Sequence, residues 1–125
     1  MSSYHRIRLR GPWECESAEG INRVRFPATW REAFGENVEN VRASRAFGSP
    51  DGLDIDAVVW LELHLGIGAR MELNGQWIGD LAAGTVRFDV TERLDERNQI
   101  RLEFELPTTE ELSVTITEAA LLIEG

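Results

Sequence analysis

The sequence contains no lysine, one cysteine and two histidines in its 125 residues. Each scarcity closes off a class of chemistry. The single thiol, Cys15, can neither close an internal disulfide nor build a thiolate metal centre within the chain. His5 and His64 share no metal-ligand spacing, so a zinc or copper site has no framework. Positive charge is scarce as well. All thirteen basic residues are arginine, and twenty-two acidic residues outnumber them, for a formal net charge of −9. Nucleic acid and anionic membrane surfaces are excluded as partners, because both require a basic face. No window approaches the ~18 apolar residues of a membrane helix. Residues 1–8 lack the ~7–15-residue apolar run of a secretory signal, and the initiating Met then points to a cytoplasmic protein. A barrel enzyme of about 250 residues does not fit. The length suits one domain, residues 1–125.

What the sequence has in quantity is alternation. Ala57, Val59, Leu61, Leu63 and Leu65 fall on one side of a period-2 pattern, with Val58, Trp60, Glu62 and His64 on the other. Shorter runs repeat the pattern: Ile7 and Leu9, Trp13 and Cys15, Val24 and Phe26, Met71 and Leu73. Further along come Val86, Phe88 and Val90, then Ile100, Leu102, Phe104 and Leu106, then Leu112, Val114 and Ile116. Residues 119–123 are uniformly apolar, which suits a strand covered on both faces. The polar positions between are largely Arg and Glu, placed to pair across strands and to discourage edge-to-edge association.

Turn chemistry separates the runs. Asn74-Gly75 supplies the two positive φ values of a type I′ turn and predicts a hairpin joining Ala69–Leu73 to Gln76–Leu81. Residues 29–34 open with Thr29 and carry Glu32 three positions on, the spacing of a capping box. Residues 91–94 read as one further turn, with Thr91 as its cap. About eight to ten short strands with almost no helix predict an all-β sandwich or barrel.

The order of the segments resembles a known family. The run Met71-Glu-Leu-Asn-Gly-Gln-Trp-Ile-Gly79, then Gly84-Thr-Val-Arg-Phe-Asp-Val-Thr91, then Leu94, Asn98, Ile100 and Leu102 is similar to the amino-terminal sugar-binding domain of family 2 glycoside hydrolases. Arg45-Ala-Phe47 followed by residues 57–65 resembles the preceding strand pair, and Phe26-Pro27-Ala-Thr-Trp30 resembles an earlier Pro-x-x-Trp element. The likeness spans residues 22–106. It implies a galactose-binding-like jelly-roll β-sandwich of mostly antiparallel strands. Each motif residue also has a structural role: Gly79 for close backbone approach, Phe88 and Val90 for the core, Asn98 for the loop before its strand. The catalytic carboxylates of that family reside in a separate barrel domain for which this chain has no room, so glycosidase activity is not carried over.

Candidate chemistry is sparse. Trp77 and Trp60 are the aromatics placed to stack on a sugar ring, with Asn74 and His64 as candidate polar contacts. Trp30 reads instead as a plug at the end of the sandwich. His64 and Glu62 form a His–carboxylate pair that suits a general base but more commonly serves as a cross-strand contact. Cys15, in phase with Trp13, reads as core. Asp51, Asp54 and Asp56 put three hard oxygen ligands in one loop, a calcium site by residue type although not by EF-hand order. No cofactor is implied. The function expected is a non-catalytic module for a carbohydrate or similar polar ligand. The alternative is a protein-interaction or structural domain, as a homodimer or with another protein, and an enzyme ranks last.

Overall fold

A computed structural model describes residues 4–37, 39–104 and 116–124. In chain order these form β1 (Tyr4–Arg8), β2 (Trp13–Ser17), β3 (Gly20–Val24), helix α1 (Trp30–Phe34), β4 (Val41–Gly48), β5 (Val58–Leu65), β6 (Ala69–Leu73), β7 (Gln76–Leu81), β8 (Gly84–Asp89), a 3-10 turn (Thr91–Arg93), β9 (Arg97–Phe104) and β10 (Thr117–Glu124). Two antiparallel sheets pack face to face. The four-stranded sheet runs β1-β10-β5-β8, and the six-stranded sheet runs β3-β2-β4-β9-β6-β7. This is the all-β sandwich that the alternation predicts.

The long strand β5 shows how the pattern becomes a core. Val59, Leu61 and Leu63 are completely buried, and Leu65 is nearly so. They meet Ala43, Met71, Leu73, Ile100 and Leu102 of the other sheet in one apolar cluster. Each such side chain contributes roughly 1.5–3 kcal/mol on burial. Cys15 and Trp13 lie in the same core, and Trp13 stacks on Phe26 at 4.7 Å between centroids. Trp30 is buried against Phe34 and Phe104. β10 is covered on both faces: Ala119 and Leu121 face the core, while Ala120 and Leu122 are buried on the outer side, between β1 and β5.

Local signals hold at the turns. The hairpin pairs Leu73 with Gln76, and Asn74 and Gly75 take φ of 53° and 79°. α1 carries the capping box in full. The Glu32 N–H donates to Thr29 Oγ1 at 3.2 Å, and the Thr29 N–H donates to Glu32 Oε1 at 3.0 Å. Gly35 ends the helix with φ 64°.

Several details differ from the sequence reading. Nothing lies within 4 Å of where a Cβ on Gly79 would sit, so close backbone approach is not its role. It adjoins instead a bulge, where the β6–β7 register shifts between Met71 and Glu72. Val90 rather than Thr91 caps the 3-10 turn, and no side chain closes that cap. β3 ends at Val24, and Phe26 is buried from the segment that follows. Phe88 is only half-buried. Leu106, Leu112 and Val114 lie outside the described residues. No helix among the described residues is long and apolar enough to cross a membrane.

Candidate functional site

An open cleft of about 690 Å³ lies at the end of the sandwich where the β4–β5 loop, the start of β5, the start of β7 and the 3-10 turn converge. Its volume is within the ~300–1,000 Å³ of small-molecule sites. Three elements bring its polar groups together. The loop contributes Asp56, the hairpin contributes Gln76, and the end of β8 with the following turn contributes Asp89, Thr91, Glu92 and Arg93. Ile55, fully exposed, and Val58 supply apolar wall.

Thr91 organises the cleft. Its Oγ1 accepts from the Val59 N–H at 2.8 Å and donates to Asp89 Oδ1 at 2.7 Å, and its own N–H donates to the same Asp89 oxygen at 3.0 Å. These bonds, hydroxyl first and amide second, hold the Asp89 carboxyl below its ordinary range against a small opposing effect of burial. Asp89 is thus a fixed, ionised acceptor facing solvent, suited to a pair of hydroxyl donors.

Trp77 stands elsewhere. It is 60% exposed on the outer face of the six-stranded sheet, beside Arg70, Glu72 and Glu103 in a groove of about 180 Å³. That groove is too small to enclose a ring but leaves the indole open for stacking. Rows of alternating charge cross this face, with ion pairs Arg23–Glu14, Arg70–Asp80 and Arg101–Glu72 at 3.3–3.9 Å.

Trp60 and His64 lie on the outer face of the four-stranded sheet, around Glu62. The Glu62 side chain is 2% exposed although it sits at an outward position. Arg6 of β1, opposite Leu122 of β10, reaches diagonally across that strand and donates to Glu62 at 2.9 Å. Arg87 Nε of β8 donates at 2.6 Å, and His64 Nε2 lies 2.8 Å away. His64 Nδ1 in turn meets the Thr85 hydroxyl at 2.9 Å. Burial alone would raise the Glu62 carboxyl, but the bonds from His64, Arg87 and Arg6 outweigh it and carry the group down to about 2. A carboxylate held so firmly ionised is a poor general base, and the cluster reads as an ionic clasp across four strands.

The structure therefore does not unite the four ligand candidates. Asn74 is consumed by the fold: its amide donates to Arg93 O at 3.1 Å and Asn98 Oδ1 at 2.9 Å, and its Oδ1 accepts from the Gln99 N–H at 2.8 Å. Asn98 then holds the loop before β9, its Oδ1 accepting from the Asp95 N–H at 2.8 Å. His64 is committed to Glu62 and Thr85. Trp60 pairs in register with Asp89 and so flanks the cleft, whereas Trp77 faces a different surface. Asp51, Asp54 and Asp56 are all exposed. Among the described residues, no group of three or more His, Cys, Asp or Glu side chains converges as a metal site. The cleft itself escaped sequence reasoning. Of its polar lining residues the sequence singled out Asp56 only as a calcium candidate and Thr91 only as a turn cap, although the Asp89-x-Thr91 spacing favours the local side-chain turn seen here.

Similar folds occur within β-glucuronidases. The chain superposes on an FMN-binding β-glucuronidase from Facaelibacterium prausnitzii L2-6 with a TM-score of 0.73 and 19% identity, over 96% of this chain and 22% of that one. It matches a β-glucuronidase from Ruminococcus gnavus with a TM-score of 0.73 and 12% identity, over 97% and 28%. It also matches a Bifidobacterium dentium β-glucuronidase complexed with coumarin-3-O-glucuronide with a TM-score of 0.75 and 15% identity, over 97% and 30%. At these identities the likeness establishes a shared fold, and this chain spans less than a third of each of the three. It bears out the fold implied by the resemblance to the sugar-binding domain of family 2 glycoside hydrolases. No protein-family model and no curated protein matches the chain.

Proposed function

We propose that this domain is a non-catalytic carbohydrate-binding module whose ligand occupies the cleft bounded by Asp56, Gln76, Asp89 and Thr91. The observation that carries this reading is the ionised Asp89, fixed by two bonds from Thr91 at the rim of an open polar cleft. Such a group accepts from sugar hydroxyls without reorganising, and Trp60 beside it and Val58 offer apolar surface for ring C–H groups. The fold is found as a small part of sugar-processing enzymes, which favours an accessory role. The buried lone thiol of Cys15 suits a cytoplasmic setting.

A glycan array followed by titration calorimetry tests the reading. Asp89→Asn is expected to weaken any hit about tenfold, equivalent to roughly 1.4 kcal/mol, while Trp77→Ala leaves it unchanged. A uniformly negative array refutes the module. Loss of binding in Trp77→Ala alone moves the ligand to the exposed indole and its groove, the second reading that the 60% exposure of Trp77 favours.

A further inference from the structure

The four edge strands of the sandwich are not equally protected. An open edge presents unpaired N–H and C=O groups, and proteins blunt such edges with charge, bulges or covering elements. β1 carries His5, Arg6 and Arg8. β7 is broken by the bulge opposite Met71 and Glu72. β3 is flanked by α1, to which Asn22 Nδ2 donates at the Glu32 carbonyl. β8 lacks the bulge and, among the described residues, any covering element, and its two charged residues, Arg87 and Asp89, are opposite in sign where those of β1 are all basic. Its sequence Gly-Thr-Val-Arg-Phe-Asp holds no proline, pairs with β5 without a register shift, and has no partner on its other side among the described residues.

The side of the sandwich along this edge is also incompletely closed. Val86 and Phe88 point toward the core yet remain half-buried, as do Ile78 and Leu81 of β7, which a two-residue link joins to β8. An apolar seam therefore runs beside a backbone edge that has no strand partner among the described residues.

We propose that β8 is a self-association edge, on which the β8 strand of a second copy of this chain adds antiparallel and fuses the two four-stranded sheets into one of eight. Backbone phase and charge choose the register. The Val90 N–H donates to Val59 O, so by strand alternation Thr85, Arg87 and Asp89 turn their peptide groups toward the open edge. A two-fold axis at Arg87 would set the two arginines opposite each other and is disfavoured by repulsion. An axis at Phe88 places Arg87 opposite Asp89 twice, as hydrogen-bonded pairs, and Phe88 opposite Phe88 as the close non-hydrogen-bonded pair. It also sets the half-buried Val86 beside the buried Val90, so Val86 and Phe88, the half-buried apolar residues of β8, are covered by the second copy. Arg87 gives its Nε to Glu62 and lies over the Tyr4 ring at 5.5 Å, so in the dimer its guanidinium would be shared between these neighbours and the Asp89 carboxylate across the axis. Such an isologous contact closes on itself and stops at a dimer. The proposal rests on no carbohydrate, but it uses the same Asp89 carboxylate as the proposed sugar site, so a bound sugar and a second β8 would compete for it.

Sedimentation velocity over a concentration series is expected to show a species of twice the 14.1 kDa chain mass that grows with concentration. Under mild oxidation Phe88→Cys should cross-link into dimers on a non-reducing gel. Thr85→Cys should not, because its opposite number in this register is position 91. Asp89→Arg, which faces Arg87 with a like charge, should weaken the dimer at least tenfold with its circular dichroism unchanged. If that variant fails to fold, the two cysteine variants carry the test. A chain that stays monomeric to its solubility limit overturns the proposal. Cross-linking through position 85 in place of 88, or a folded Asp89→Arg that dimerises as well as the parent, overturns it equally.

Discussion

Replacing Glu62 by Gln tests the physical account of the four-stranded sheet most directly. The carboxyl falls from an ordinary 4.5 to about 2 in the folded chain. At ~1.4 kcal/mol per unit, that difference corresponds to roughly 3 kcal/mol of stability at neutral pH. Arg6, Arg87 and His64 are 42–46% exposed, so water screens their side of each pair. A net loss of about 1–3 kcal/mol on Glu62→Gln follows, a sizeable part of the ~5–15 kcal/mol expected for a domain. The pH dependence has a definite sign. A carboxyl whose folded value lies below its unfolded value contributes fully above pH 4.5, and that contribution is lost as pH falls through 4.5 toward 2. Urea denaturation followed by tryptophan fluorescence, from neutral pH down to pH 2, is the assay. The wild-type chain should lose its advantage over Glu62→Gln across that window, and the two should converge at its acid end. Equal midpoints at neutral pH, or an advantage at pH 2 as large as that at neutral pH, would refute the reasoning.

Other predictions rest on separate parts of the fold. Asn74→Ala removes three hydrogen bonds and places a Cβ residue without local polar support at φ 53°, so it should destabilise by about 2–3 kcal/mol and lower the melting temperature by several degrees in calorimetry. Cys15 is 1% exposed, and burial pushes its thiol up to about 12, so a thiol reagent should label it only at the rate of unfolding. Rapid labelling of the native chain would show that β2 opens locally.

Much of the fold was legible because its signals are local. The inward residues of β5 all proved buried, since a strand must turn alternate side chains to opposite faces. Asn74-Gly75 and Thr29-x-x-Glu32 also act within a few residues of themselves, and both features formed as read. Roles that depend on space or on distant partners were less legible. Gly79 marks a bulge rather than a close approach, and Asn74 binds Arg93, Asn98 and Gln99 rather than offering its amide to a ligand. The cleft joins residues from three separate stretches of chain and has no contiguous motif.

The sequence by itself determined which side chains face inward and where the chain reverses, because pleat period and turn chirality are properties of neighbouring residues. Only the tertiary structure decided that Glu62, outward by its phase, would lose contact with water. Its partners Arg6 and Arg87 lie 56 and 25 positions away, and their approach depends on the strand order that sets β8 beside β5 and β1 one strand beyond it. Burial on an outer face is set by what crosses over a residue, and the pattern along its own strand carries no record of that.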